Sequence, residues 1–349
     1  MSSLLKNYFG LIRRFIPKKE EGSSVGIDIG VSSCKIVELA REGDSFKVLH
    51  WAVQPVAGGD VEAAVRSLLN QVTSPVENVF TSVYGKGTLI RFIEMPRMNL
   101  EDLKASFAIE ADKYFPFSQD QIYTDCFIID PQGKSKKMRV MAAAVKKEMV
   151  GDRLKMFNAL GYESDFIGLN AVALANAGSM LKCPDSENEI VGILDVGETV
   201  SSFIVLMKGI PQFVRDISTG GRDLTKRIAN ALALEFSEAE RLKCNPGDRL
   251  SEIQGVCDSA FANLMQELRL SVDYFMNEHN QEINRLVLTG GASLMHGLAK
   301  HIESNLEIKV ESWNPFEKLA RADHLTAEEL AQKSNRLAVA LGLALYQYD

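Results

Sequence analysis

Two apolar runs, far apart in the chain, share one pattern of hydrophobic and polar positions. Residues 25–35 read VGIDIGVSSCK and residues 192–206 read GILDVGETVSSFIVL. The β-branched and aliphatic residues that open each run predict a strand. Each run continues into an aspartate (Asp28 or Asp195), then a glycine two positions later and small hydroxyl residues. A supersecondary unit that recurs at wide separation predicts a duplicated α/β architecture.

The rest of the chain predicts alternating strands and helices. An alternating run at 46–56 predicts a strand that pairs with the first run, so that the sheet opens antiparallel. Residues 78–95 predict one further strand. Apolar positions at helical spacing predict helices at 60–72, from Asp223 onward, at 252–279 and at 334–347.

An α+β unit is predicted inside the first half of the chain. Asn99 is its predicted N-cap, and the helix that follows is expected to stop before Pro116. Two strands joined by a polar turn and a closing helix complete the unit, and these elements are predicted at 122–130, 137–145 and 146–160.

Composition bounds the class of protein. The chain has 349 residues, of which 46% are hydrophobic, and this length allows two domains with cores of their own. A net charge of -7 argues against a nucleic-acid partner, which favours a basic surface. The five cysteines show no paired spacing, which favours reduced thiols, and the five histidines form no ligand pattern for a metal.

The N-terminus carries a different pattern. Apolar residues recur at helical spacing between Leu4 and Ile16, among basic residues and with no acid before Glu20. Such a helix suits contact with an anionic membrane surface. Packing of the same helix on the protein body or on a partner remains an equal alternative. No run reaches the roughly 18 apolar residues that a membrane span requires.

A third apolar run also ends in glycines. Residues 286–298 read LVLTGGASLMHGL and contain Gly290 and Gly291. Glycine lets a backbone turn tightly and approach a ligand closely, and a run of turn N–H groups suits a phosphate. A carboxylate at such a turn is suited to hold hydrated Mg²⁺.

The order Asp-x-Gly, Asp-x-Gly, Thr-Gly-Gly resembles the actin, Hsp70 and sugar-kinase superfamily. The segment MPRMNLEDLKASFAIEADKYFPF, residues 95–117, resembles the PilM family of type IV pilus assembly, which shares its kind of insert with the cell-division protein FtsA. The resemblance implies a duplicated actin-like (ribonuclease H-like) ATPase fold with two halves around a nucleotide cleft and an FtsA-like inserted subdomain.

The same resemblance implies a division of the chain. It predicts a tail and linker, a first actin-like subdomain, an inserted subdomain for partner docking, and a second half with a helical subdomain. The corresponding residues are 1–24; 25–94 with 164–190; 95–163; and 191–349, with the helical part at 223–284.

The resemblance further implies ATP or ADP and Mg²⁺ as cofactors. The metal would be held, through water, by Asp28 and Asp195. The residues that match the family's nucleotide-binding positions are Asp28, Gly30, Ser32, Ser33, Lys35, Asp195, Gly197, Thr199, Gly220, Gly221, Glu240, Lys243, Gly290 and Gly291.

Two of these matches have a plain alternative, and catalysis has no assigned residue. By resemblance, Glu240 would accept from ribose hydroxyls and Lys243 would lie along the base, whereas the spacing alone favours an exposed Glu–Lys helix pair.

Asn170 stands where the family keeps a Glu that orients water. An amide is a poor general base, so we expect slow or absent ATP turnover. Asp165 lies nearby, with its direction open.

The predicted function is therefore an ATP-binding scaffold at the inner face of the cytoplasmic membrane. By resemblance it would dock the N-terminal tail of a PilN-like membrane protein and link other inner-membrane pilus components to the motor ATPases. Self-association is left open. Alternatives are a small-molecule kinase or an FtsA-like filament protein. Apolar residues of the insert are expected to form its core or to line a peptide groove, namely Met95, Met98, Phe107, Tyr114, Phe115, Phe117 and Tyr123.

Overall fold

The computed structural model describes residues 23–43, 45–72, 74–76, 79–181 and 189–348, without the side chains at 108, 165, 254, 257, 258, 260, 347 and 348. The predicted N-terminal helix and the direction of Asp165 lie outside this description. Within it, no helix is both long enough and apolar enough to cross a bilayer.

The chain divides into two compact units. Unit 1 comprises Met1–Ser82, Phe157–Met180 and Asn314–Asp349, and unit 2 comprises Val83–Met156 and Leu181–Trp313. The sequence-based division had assigned the C-terminal residues to the second half. In the structure they fold with unit 1, because their last helix packs on its first strand.

One sheet organises unit 1. In the described part of the chain its strand order is β14–β3–β2–β1–β4–β8. The pairs β1/β2 and β2/β3 are antiparallel, and β4 runs parallel to β1. The strands are β1 Ser23–Ile29, β2 Ser33–Glu42, β3 Ser45–Pro55, β4 Val79–Val83, β8 Ser164–Leu169 and β14 Ala320–Arg321.

Helices cover this sheet. The predicted helix at 60–72 is α1, and the Asp60 side chain caps it by accepting from the Ala63 N–H. The predicted C-terminal helix is shorter than expected, Ala338–Ala344, with 3₁₀ turns on both sides. The helices are α1 Val61–Leu69, α4 Asn170–Gly178, α9 Ala327–Lys333 and α10 Ala338–Ala344.

Small residues bring α10 against its neighbours. A Cβ at Gly26 on β1 would collide with the Ala340 carbonyl of α10. A Cβ at Gly342 would collide with the Ala173 carbonyl of α4. The Ser24 hydroxyl also donates to the Ala344 carbonyl at 2.5 Å. Backbone-to-backbone packing of this kind explains why the end of the chain belongs to unit 1.

The main sheet of unit 2 repeats the topology of unit 1. Its order among the described residues is β11–β10–β9–β12–β13. Again the first three strands in sequence are antiparallel, and the next two run parallel to the first. The duplication predicted from the two Asp-x-Gly runs is confirmed. The strands are β9 Ile190–Val196, β10 Ser201–Met207, β11 Ile210–Ile217, β12 Arg285–Thr289 and β13 Lys309–Ser312.

A group of helices packs on one face of this sheet. The longest, predicted at 252–279, spans Leu250–His279 and buries Phe261, Leu268 and Phe275 in the core. The helices are α5 Gly221–Leu232, α6 Phe236–Cys244, α7 Leu250–His279 and α8 Leu298–Leu306.

The insert forms a separate sheet with the order β5–β7–β6. Asn99 caps its helix as predicted, because the Asn99 side chain accepts from the Asp102 N–H at 2.8 Å, and the helix ends before Pro116. Met95, Phe107 and Phe115 lie in its core. The elements are β5 Thr88–Pro96, α2 Leu100–Tyr114, β6 Ile122–Ile128, β7 Lys137–Lys146 and α3 Lys147–Leu160.

Two strand predictions were wrong in extent. The single strand expected at 78–95 is broken at Gly85, whose φ of +85° ends β4 and starts a turn into the insert. The first run was expected to be followed by the strand at 46–56, but residues 33–42 form β2 between them. The glycine at position 30 reverses the chain, so the hydroxyl residues after it begin a new strand.

Candidate functional site

The first Asp-x-Gly run is a tight β-hairpin. The Gly30 N–H donates to the Ser33 carbonyl at 3.1 Å, so β1 turns directly into β2. Asp28 lies opposite Lys35, and the Lys35 ammonium is 2.9 Å from the buried Asp28 carboxylate. A Cβ at Gly30 would lie 2.9 Å from the Ser33 carbonyl oxygen, so the tight turn leaves little room for a side chain. Ser32 is exposed at the tip of the turn.

The second Asp-x-Gly run has the same geometry in unit 2. The Gly197 N–H donates to the Val200 carbonyl at 3.2 Å, and a Cβ at Gly197 would lie 2.5 Å from that oxygen. Thr199 lies in the turn. Asp195 lies opposite Ser202, at the position where Asp28 has Lys35. The two hairpins therefore share a backbone and differ in the charge beside the aspartate.

The third glycine run meets the second hairpin. Thr289, the last residue of β12, lies opposite Asp195 on β9. Gly290 follows with a φ of +91°, and a Cβ there would collide with the Asp195 carboxylate and the Val196 backbone. Gly291 begins the next 3₁₀ turn. The structure thus brings the predicted Asp195 and Gly290 into contact.

The Gly220–Gly221 turn lies on the same hairpin. The Gly221 N–H donates to the Gly197 carbonyl at 2.9 Å, and the Arg222 N–H donates to the Glu198 carbonyl at 2.8 Å. A Cβ at Gly220 would lie 2.5 Å from the Glu198 carbonyl. These close approaches leave no room for side chains at the start of α5. The N-terminus of α5 therefore lies directly against the hairpin turn.

Glu240 and Lys243 on α6 support this turn. The Lys243 ammonium donates to Glu240 at 2.7 Å, to the Thr225 hydroxyl at 2.9 Å and to the Gly221 carbonyl at 3.2 Å. Lys243 is 3% exposed, whereas the Glu240 side chain is 45% exposed. The pair is therefore not an exposed helix pair. Every ammonium hydrogen has an acceptor within the protein, and the outer part of Glu240 faces solvent.

Sequence reasoning did not single out several polar contacts. The Ser82 hydroxyl donates to Asn170 Oδ1 at 2.7 Å, and Ser82 is buried. Glu198 pairs with Arg222, while its second carboxylate oxygen is buried without a hydrogen-bond partner in the described part of the chain. Asp216 accepts from Ser202 at 2.7 Å. No local signal marks these residues, because each contact joins distant positions of the chain.

The arrangement in unit 2 is suited to an anion. The first N–H groups of α5 are used within the protein, because Gly220 donates to the Asp223 side chain while Gly221 and Arg222 donate to carbonyls of the hairpin. The N-terminus of α5 therefore contributes its dipole, which attracts negative charge. At Gly220 and Gly290 the turns lie so close together that a Cβ would collide with the Glu198 backbone and with the Asp195 carboxylate. A helix N-terminus beside carboxylates is compatible with a phosphate that carries a hydrated cation.

Within the described residues, no group of three or more His, Cys, Asp or Glu side chains is arranged to hold a metal ion. Magnesium does not require such a group, because it keeps several waters and binds through one or two carboxylates together with substrate phosphates. The carboxylates present are therefore compatible with a magnesium ion that keeps most of its waters.

The duplicated sheet with its Asp-x-Gly hairpins defines the actin-like ATPase fold, and solved structures of that class superpose on the chain. The family described as type IV pilus assembly protein PilM matches residues 26–348. The chain belongs to this PilM family.

Three relatives illustrate the range of similarity. A structure titled PilM–PilN type IV pilus biogenesis complex superposes with a TM-score of 0.83 and 25% identity, covering 93% of this chain and 98% of that one. The cell division protein FtsA of Bacillus subtilis strain 168 is 23% identical over 83% of this chain and 78% of its own length. MreB 5 of Spiroplasma citri, bound to AMPPNP, superposes with a TM-score of 0.52 at 12% identity, covering 95% of this chain and 97% of that one, which concerns the fold alone.

Proposed function

We propose that this chain is an ATP-binding scaffold of type IV pilus assembly that docks the cytoplasmic tail of a PilN-like membrane protein. The observation that carries the proposal is the pair of matching Asp-x-Gly hairpins within a member of the PilM family. Membership of the PilM family supports the role in pilus assembly. The two hairpins support the binding of a nucleotide.

For the nucleotide, unit 2 would contribute its glycine turns to the phosphates and Glu240 to the ribose. By the family resemblance, Lys35 and the Gly30 turn would also contact phosphate. Bound Mg²⁺ would neutralise phosphate charge, and its waters would donate hydrogen bonds to the Asp195 carboxylate and, by the family resemblance, to Asp28. The partnerless buried oxygen of Glu198 supports this assignment, because a metal-bound water would satisfy it.

The test is ATP-induced stabilisation of the fold. A ligand at about 100 times its Kd raises the free energy of unfolding by roughly 2.7 kcal/mol, which shifts Tm by several degrees. Asp195→Asn should remove most of this shift. Asp152→Asn is the matched control, because Asp152 is exposed on α3, where it pairs with Lys155 at 3.5 Å. An equal shift in the Asp195 variant would refute the assignment.

For the partner, the insert offers one face that α2 does not cover. Side chains of β7 point alternately to the two faces of the insert sheet. One set packs under α2, and Met141, Ala143 and Val145 lie on the opposite face. Tyr123 on β6 shares that face through its pairing with Val145, and it is 55% exposed. This face combines half-buried apolar residues with an exposed aromatic side chain, which suits an extended peptide. At its other end Arg139 contacts α7, so the part of the face near Val145 and Tyr123 is the one offered to a peptide.

The similarity to a PilM–PilN complex supports a PilN-like occupant. The protein would thereby sit at the inner face of the cytoplasmic membrane. From that position it would link the membrane components of the pilus machine to the motor ATPases in the cytoplasm.

Peptide titration tests this part. A synthetic peptide with the N-terminal cytoplasmic residues of the PilN-like protein should bind the wild type, and Tyr123→Ser should weaken binding about tenfold or more. Ile109→Ser is the matched control, because Ile109 is 75% exposed on α2, the other side of the insert. Equal weakening by both variants would place the docking surface elsewhere.

A further inference from the structure

An arginine and a glutamate join the start of α5 to the second Asp-x-Gly hairpin. Glu198 lies in the turn of that hairpin, and Arg222 is the second residue of α5. The Arg222 Nε–H donates to Glu198 Oε1 at 2.8 Å, and Nη2 lies 2.5 Å from the same oxygen. The Arg222 backbone N–H also donates to the Glu198 carbonyl at 2.8 Å. Side chain and backbone together therefore hold Arg222 beside the hairpin turn.

One edge of the Arg222 guanidinium takes part in this pair. A guanidinium carries five N–H donors in a planar fork, and Nε with Nη2 forms one edge of that fork. In the described part of the chain, the edge formed by Nη1 and Nη2 has no protein acceptor. The Arg222 side chain is 42% exposed, so it keeps donors for a ligand. Two parallel N–H groups match two oxygens of one phosphate.

Other donors at the start of α5 are already used within the protein. The first N–H groups of this helix donate to the Asp223 side chain and to carbonyls of the hairpin. Every ammonium hydrogen of Lys243 also has a protein acceptor. A phosphate beside the Gly220–Gly221 turn therefore needs a further donor, and the open edge of Arg222 can supply one.

The first hairpin shows that the fold does not require this pair. Val31 takes the position of Glu198 there, one residue after the glycine, and it is 42% exposed. The cation of the first hairpin is Lys35 on β2, whose ammonium lies 2.9 Å from Asp28. The uncharged Ser202 stands at the corresponding position of unit 2. In both units a cation therefore lies at the hairpin, but it comes from a different element.

We propose that Arg222 binds the phosphates of the nucleotide and that Glu198 orients its guanidinium. The inference rests on the proposed function, in which the second hairpin takes part in ATP binding. Glu198 Oε1 holds one edge of the guanidinium, and the other edge donates to phosphate oxygens. Because the pair fixes a long side chain before the nucleotide arrives, less conformational freedom is lost on binding. Arg222 is accordingly a binding residue, and Glu198 is a positioning residue.

The experiment compares ATP with adenosine, which has no phosphate. The Kd of each ligand is measured in the presence of Mg²⁺ by displacement of a fluorescent ATP analogue. Arg222→Gln should weaken ATP binding about tenfold or more, because charged hydrogen bonds to phosphate are lost, whereas adenosine binding should change less than about twofold. Arg222→Lys should recover only part of the loss, because an ammonium keeps the charge without the fork.

A double-mutant cycle tests the role of Glu198. Glu198→Val introduces the residue that the first hairpin has at the same position, so the turn should keep its fold. Without its acceptor the guanidinium is no longer held, and the loss of ATP affinity caused by Arg222→Gln should be about threefold smaller in the Glu198→Val background. An equal loss in both backgrounds would show that Glu198 does not orient Arg222.

Arg227→Gln is the matched control, because it removes the same charge from the exposed side of the same helix, where Arg227 donates to the Ser259 carbonyl at 3.1 Å. Its ATP affinity should stay within about twofold of the wild type. Unchanged ATP affinity in Arg222→Gln would overturn the inference. An equal loss for adenosine, or an equal loss in Arg227→Gln, would overturn it too. A wild type that binds no ATP would instead refute the proposed function on which it rests.

Discussion

The expected rate of ATP hydrolysis depends on Asn170. Its Oδ1 accepts from the Ser82 hydroxyl at 2.7 Å, at the start of α4. An amide cannot take a proton from water near neutral pH. The side chain is therefore held in place without basicity.

We expect purified protein to release phosphate from ATP at a rate barely above background. Asn170→Glu should raise the steady-state rate by about tenfold or more, because a carboxylate can act as a general base. Asn158→Glu on the exposed side of α3 is the control. Rapid multiple-turnover release by the wild type would contradict the role given to Asn170.

His50 makes stability depend on pH. Burial lowers the pKa of His50 below its ordinary value of 6.5, His324 lowers it further, and Glu38 opposes the shift. Because the folded state favours the neutral ring, the unfolded chain takes up a proton first as pH falls. The contribution of His50 to stability is therefore complete above pH 6.5 and is lost as pH falls toward the lower folded pKa.

The free energy of unfolding should thus decrease between pH 7.5 and the acid side of 6.5. His50→Gln should make this dependence shallower in denaturant titrations at several pH values. His296→Gln, at an exposed position, should leave the slope unchanged. Identical slopes in the wild type and the His50 variant would show that other groups govern the pH response.

At the scale of elements, Lys243 joins α6 to the start of α5. Its three hydrogen bonds reach Glu240 on its own helix, Thr225 on α5 and the carbonyl of Gly221. The ammonium therefore fixes the angle at which the Gly220–Gly221 turn meets the second hairpin.

Lys243→Met should lower the free energy of unfolding by about 2 kcal/mol, because charged hydrogen bonds are lost while the half-exposed Glu240 regains solvent. It should also weaken ATP binding through the displaced turn. Lys226→Met, exposed on α5, should change neither. Chemical denaturation and nucleotide titration check both effects, and unaltered ATP affinity in a destabilised Lys243 variant would limit its role to the fold.

At the scale of the whole molecule, the N-terminal helix predicted within residues 1–24 lies outside the described structure. Its basic and apolar residues predict attraction to anionic lipid that weakens with salt. Deletion of residues 1–20 should reduce co-sedimentation with vesicles that contain phosphatidylserine, and Tm should change little. Vesicles of phosphatidylcholine alone are the control. Equal sedimentation of both proteins would favour packing of the helix on protein.

Elements with local signals could be predicted from the sequence. Asn99 caps α2 because its side chain accepts from the N–H of Asp102, only three residues later. The glycines of both hairpins directly follow strands that the apolar runs predict. These features depend on neighbours in the chain, so a pattern is enough. The β4–β5 break at Gly85 was missed, because the apolar alternation continues across a turn that separates two sheets.

The sequence by itself determined the duplicated strand–turn units and the elements of the insert, since turn conformation and hydrophobic period are local properties. Tertiary structure decided which polar groups meet. Strand register places Ser202 between Asp195 and Asp216, and packing of α6 on α5 buries Lys243 beneath Gly221. Such contacts join residues far apart in the chain, and a shift of one residue in register turns a side chain to the other face. Their energies therefore depend on the whole fold.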